Sequence, residues 1–269
     1  MSKSARAILH LLNDLAEPLG AWPTRQHLSE LSIYQSREEP KSIKGPKEYP
    51  DIFYDCVMYT VKGGGQNPLL DLFNYLSVLR VRGATMLWGQ IKLSAQLVEL
   101  HLQSVNFRSD SQLLDFLEAL NTAPELRDLK VISVIVFPAS SSDSPPSPRT
   151  VKCPVPKLQT LLLQDLDYSA LQILQGSLAP GPYPTTLYLT EKITHIHEPR
   201  KEPTIISPKD LCKVLKRISV DKLILSGEWE EKNAWLNHTE LRSVLQSLPT
   251  VKNPHNDLLE ISQRGPACS

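Results

Sequence analysis

Three places in the chain carry residue types able to do chemistry. Lys62-Gly63-Gly64-Gly65 has the glycine density of a phosphate-cradling loop. Gln66-Asn67-Pro68 follows, where such a loop needs a Lys-Ser/Thr pair to reach phosphate and metal, so the run reads as a flexible turn. Glu191, His195 and His197 offer a carboxylate and two imidazoles, and alternation would put both histidines on one side of an extended segment. Prolines surround them and no fourth ligand follows, so the expectation is a pair of exposed loop histidines without a metal. Cys56, Cys153, Cys212 and Cys268 lie far apart with no CxxC pair, the usage expected of reduced intracellular thiols. No GxSxG, HExxH or Cys/His context is present. The sequence therefore predicts no catalytic residue, no metal and no cofactor. A binding protein is expected rather than an enzyme, with an enzyme built on the loops as the alternative.

Composition narrows the partner. Lys+Arg and Asp+Glu balance at 29 each in 269 residues, which removes the bulk electrostatic drive toward nucleic acid or an anionic membrane. Aromatic residues are 6%, too few to support stacking on bases. No stretch approaches the roughly 20 apolar residues of a membrane span. Met1 to Leu12 lacks a long apolar run and a small-residue cleavage site, so an intracellular, cytoplasmic or nuclear location is expected.

Two patterns alternate along the chain and would position any binding residues. The first has apolar residues at i, i+1, i+3, i+4 and i+7, the stripe of a short amphipathic helix. It appears at Ile8–Leu15, Leu69–Leu76, Leu113–Leu120 and Leu211–Ile218, and more weakly from Ala170 and from Leu241. Asn67-Pro68 and Ser207-Pro208 read as helix starts, and Ser169 and Thr239 as further caps. The second pattern is LxxLxL, whose inner pair alternates like a strand buried on one face. It falls at Leu28–Ile33, Leu76–Val81, Leu97–Leu102, Leu126–Val131 and Leu158–Leu163, with degenerate copies at Pro184–Leu189 and Val220–Leu225. Leu76 belongs to both patterns, and no helix is predicted between Leu79 and Leu100.

A strand–loop–helix unit cannot bury its apolar face alone, and stacking units solves this. The expected fold is α/β: an irregular leucine-rich-repeat solenoid, with a curved parallel sheet on the concave side and short helices on the convex side. It spans 1–251, with loops at 35–50, 138–156 and 195–208 and a frayed tail at 252–269. Within the loops, Ser140 to Pro148 is Ser/Pro-rich and reads as a flexible insertion.

Residues between and after the strand leucines should point to the concave face. These give the candidate binding residues Arg80, Arg82, His101, Gln103, Lys130, Leu162, Gln164, Tyr188 and Ile224. Read this way, the first half of the face is basic, and the second half sets Leu162, Tyr188 and Ile224 in a row suited to a protein contact.

The phrasing of these repeats resembles fungal F-box-like leucine-rich-repeat proteins. The resemblance is carried by LFNYLSVLRVRG (Leu72 to Gly83), LVELHLQSVNF (Leu97 to Phe107), LLDFLEALNTAPELRDLKVISV (Leu113 to Val134) and VPKLQTLLLQDLDY (Val155 to Tyr168), with LYLTEK and VDKLILSG in the same style. It implies substrate recognition in a ubiquitin ligase, with an F-box docking on a Skp-type adaptor. Met1 to Gly20 lacks the Leu-Pro start and Cys-Arg-x-Trp-like end of an F-box. No adaptor contact is expected of it, and a truncated, non-functional family member is a further alternative.

Overall fold

The structure is a computed structural model that describes residues 28–35, 68–84, 86–137, 151–198, 202–227, 235–248 and 259–262. Its strands are β1 (Glu30–Tyr34), β2 (Val78–Arg82), β3 (Glu99–Gln103), β4 (Asn106–Phe107), β5 (Asp128–Ile132), β6 (Ile135–Val136), β7 (Thr160–Gln164), β8 (Thr185–Leu189), β9 (His195–Ile196), β10 (Thr204–Ile205), β11 (Lys222–Ser226) and β12 (Leu259–Ser262). Its helices are α1 (Pro68–Phe73), α2 (Asp110–Leu120), α3 (Tyr168–Ser177), α4 (Pro208–Leu215) and α5 (His238–Ser247).

Eight strands form one sheet in the order β1-β2-β3-β5-β7-β8-β11-β12, and every pairing in it is parallel. Sheet order follows chain order throughout. The strand leucines explain the register: Leu79, Leu100, Leu129 and Leu161 face each other across neighbouring strands, and each is at most 5% exposed. Their partners two residues on, Val81, Leu102, Val131 and Leu163, form a second inward row. The outer leucine of each LxxLxL, at Leu97, Leu126 and Leu158, is buried in the turn before its strand.

The helices pack in the same sequence, α2 on α3, α3 on α4 and α4 on α5. Their apolar stripes and the inward strand residues form one hydrophobic cluster, so the fold is a mixed α/β arrangement of a parallel sheet under a helical layer. Between β2 and β3 a short 3-10 turn, Trp88–Gln90, takes the place of a helix. Trp88 fills the space, meeting Phe116 of α2 edge-on with ring centroids 4.9 Å apart.

Several local expectations need correction. Helix α1 ends at Phe73, and Leu76 is a buried residue ahead of β2, so Leu76 belongs to the strand pattern. The cap of α3 is Asp167, not Ser169, and the cap of α5 is Asn237, not Thr239. Asp167 accepts from the Ala170 N–H, while Asn237 forms a capping box with Glu240. The loop at 195–208 contains a small antiparallel pair, β9 with β10. Of the tail expected to fray beyond 251, Leu259–Ser262 forms β12 beside β11, and its other residues lie outside the described ones. The helix read at Ile8–Leu15, the glycine run at Lys62–Gly65 and the insertion at Ser140–Pro148 lie outside the described residues.

A backbone feature recurs where the chain leaves the sheet. Gly83, Ser104, Ser133 and Asp165, the first residues after β2, β3, β5 and β7, have φ of 71°, 54°, 52° and 52°. Their N–H groups donate to Gln103, Ile132, Gln164 and Tyr188 carbonyls on the next strand, at 2.9–3.0 Å. Each ladder thus gains one bond before the chain turns away. Three of the four residues hold a left-handed conformation with a side chain present, which strains a residue other than glycine.

Candidate functional site

Because side chains alternate along a strand, the residues between the inward rows share the sheet's other face. They are half-buried or exposed, whereas the inward rows are buried. Register sorts them into lines across the strands. One line runs Ser32, Arg80, His101, Lys130, Leu162, Thr186, Lys222. The next runs Tyr34, Arg82, Gln103, Ile132, Gln164, Tyr188, Ile224. All nine candidate residues therefore lie on this face.

Tyr188 and Ile224 do not continue the line of Leu162, as expected from the leucine spacing. Leu163 pairs with Leu187, so β8 sits two residues from the assumed alignment. Thr186 and Lys222 follow Leu162, while Tyr188 and Ile224 follow Gln164. The apolar part of the face is thus a diagonal patch of Ile132, Leu162, Tyr188 and Ile224, with Gln164 within it.

The basic half is also different from its reading. An acidic line, Glu30, Glu99 and Asp128, lies one step along the same strands and neutralises it. Arg80 Nε reaches Glu99 at 2.8 Å and Arg80 Nη1 reaches Glu30 at 3.5 Å. Lys130 Nζ reaches Asp128 at 2.9 Å, and the Thr160 hydroxyl donates to the same carboxylate at 2.5 Å. Arg82 lies over the Tyr34 ring at 5.1 Å. The hydrogen bond to Glu99 raises the Arg80 pKa. Burial pushes the Asp128 carboxyl up, but the Thr160 hydroxyl and Lys130 ammonium hold it below its ordinary value. Burial, then the Lys130 charge, lowers the His101 pKa, and His101 Nε2 is enclosed without a hydrogen bond. Both effects disfavour the charged form of this imidazole among the paired charges.

A second polar group, missed in the sequence, gathers at the ends of β5, β7 and β8. Asp165 accepts from the Ser133 hydroxyl at 2.6 Å, the Thr190 hydroxyl at 2.5 Å and Lys192 Nζ at 3.2 Å. Burial raises its pKa, and these three donors bring it below the ordinary value. Every one of these contacts is internal, which makes the group a clasp between the ends of neighbouring strands. The signal was Ser133 and Asp165 recurring directly after a strand, visible only once the register is known.

His195 and His197 are half-buried, not exposed loop residues. Their ring centroids are 6.0 Å apart, and Phe137 lies 6.4 Å from His197. Burial, followed by the His195 and Lys192 charges, lowers the His197 pKa to about 4. Glu191 stands in the 3-10 turn Glu191–Thr194. Among the described residues no group of three or more His, Cys, Asp or Glu could hold a metal. Among them, too, no helix is long and apolar enough to cross a membrane.

These features define a mixed α/β protein with a parallel sheet in chain order and one half-exposed sheet face. The chain matches no family model and no curated protein.

Proposed function

We propose that the chain is a leucine-rich-repeat solenoid whose half-exposed sheet face binds a protein partner. The observation that carries this reading is a parallel sheet in strict chain order, with inward leucines in register and a left-handed residue after four of its strands. Stacked units of this kind place one face of every strand on a single continuous surface. The patch of Ile132, Leu162, Tyr188 and Ile224 supplies apolar area, and the self-neutralised charges beside it leave little drive toward a polyanion. The resemblance to F-box-like leucine-rich-repeat proteins adds that the partner is a ubiquitin-ligase substrate, within an intracellular setting.

The test is comparative. Partners captured by the full chain are measured again with Leu162→Asp/Tyr188→Asp on the face and with Gln172→Asp on the exposed side of α3. Affinity should fall at least tenfold for the first variant and stay unchanged for the second. Equal affinity of the face variant for the same partner would remove the sheet face from recognition.

A further inference from the structure

The inward leucine row ends at β8. Leu79, Leu100, Leu129 and Leu161 follow one another across β2, β3, β5 and β7, and the next position, on β8, is Thr185. The two-residue offset of β8 brings it there. A threonine is shorter than leucine, so the row loses volume just where the helical layer changes from α3 to α4. Beside Thr185 lies a half-open cleft of about 430 Å³. That size falls within the range of small-molecule pockets.

Its floor is apolar, made by the edges of Leu161, Leu163, Leu178 and Ile218 beside Thr185, each at most 9% exposed. Two cations line it, Lys152 and Arg217, both exposed, and among the described residues none of those lining it is acidic. Lys152 Nζ donates to the Gly176 carbonyl at 2.8 Å, which fixes the ammonium at the end of α3. An ammonium has three donors, so that bond leaves capacity for an anion. Gly176 adds to the opening, since a Cβ there would meet nothing within 4 Å.

We propose that this cavity binds a small amphiphilic anion, an apolar chain bearing one carboxylate. The chain lies on the leucine floor at Thr185 and the carboxylate between Lys152 and Arg217. The apolar body gains by leaving water, and the paired cations select charge at the mouth. The site is on the helix side of the sheet and is independent of the face assigned to a protein partner.

Calorimetric titration of the full chain with octanoate tests this, with octan-1-ol as the uncharged comparison. Octanoate should bind saturably at one site, at least tenfold more tightly than octan-1-ol. Lys152→Ala/Arg217→Ala should erase that preference, leaving octan-1-ol unchanged. Two plugs from different walls, Thr185→Leu and Gly176→Leu, should each abolish binding of both. Circular dichroism and the melting temperature report whether each plugged variant keeps the fold, and Gly176→Leu also improves helix propensity. Absence of octanoate binding, equal binding of octan-1-ol, or undiminished binding by a folded plugged variant overturns the proposal.

Discussion

Asp167 shows how one residue sets a pH response. Its side chain is fully buried, and its two oxygens accept from the Ala170 N–H at 2.8 Å and the Val136 N–H at 3.0 Å. It thereby joins α3 to β6. Burial drives its pKa up to about 7 from an ordinary 3.8, against the pull of both N–H donors and Lys192, with Asp110 adding to the rise. A folded-state value above the unfolded one makes its contribution largest below about pH 4. That contribution is lost as pH rises to about 7, at up to about 1.4 kcal/mol per pH unit. Urea unfolding of the wild-type chain across this window should show the fall. Asp167→Asn cannot ionise and should remove this part of the slope. Its amide leaves one N–H without an acceptor, so the variant should be weaker by about 1–3 kcal/mol at pH 5, with a smaller gap at pH 8. A second residue-scale outcome concerns thiols. Cys153 is buried with its pKa pushed up to about 12, whereas Cys212 is half-buried. Peptide mapping after iodoacetamide treatment of the native chain should find Cys212 modified well before Cys153.

At the scale of elements, the exit from each strand is the most demanding piece of backbone. Gly83 has φ of 71°, and a Cβ there would lie 2.3 Å from the Gln35 carbonyl oxygen at the end of β1. Gly83→Ala should therefore destabilise by more than about 1 kcal/mol. Hydrogen exchange should show β1 losing protection first, with β5 and β7 little changed; uniform loss would assign the strain elsewhere. Most elements were legible because their signals are local. Alternating leucines fixed the strands, and Ser207-Pro208 announced α4. What was not legible depends on neighbours. The offset of β8 arises because Leu187, not Leu189, meets Leu163, and no spacing within Pro184–Leu189 reveals it. The neutralisation of Arg80 and Lys130 needs Glu99 and Asp128 at the right register. Ser169 lost the cap of α3 because Asp167 also reaches the Val136 N–H. The candidate face was legible residue by residue, and its pattern was not.

For the whole molecule, the proposed repeat reading makes stability a sum over neighbouring units. Leu129 is fully buried between Leu100 and Leu161. Leu129→Ala should cost about 2–5 kcal/mol in chemical unfolding. Exchange protection should fall in β3 and β7 as well as β5, while Gln164→Ala on the opposite face should change little. A loss confined to β5 would show units that do not support each other. Chain-ordered pairing also has a mechanical side. β1 and β12 occupy opposite ends of the sheet, and each strand between them is bonded only to the strands before and after it in that sheet. Among the described strands, a load drawn from the two ends meets only pairings between neighbours. The molecule should yield by peeling, one strand after another, with a small force peak for each. The extension released at each peak follows the uneven chain lengths between strands, short from β2 to β3 and longer from β5 to β7.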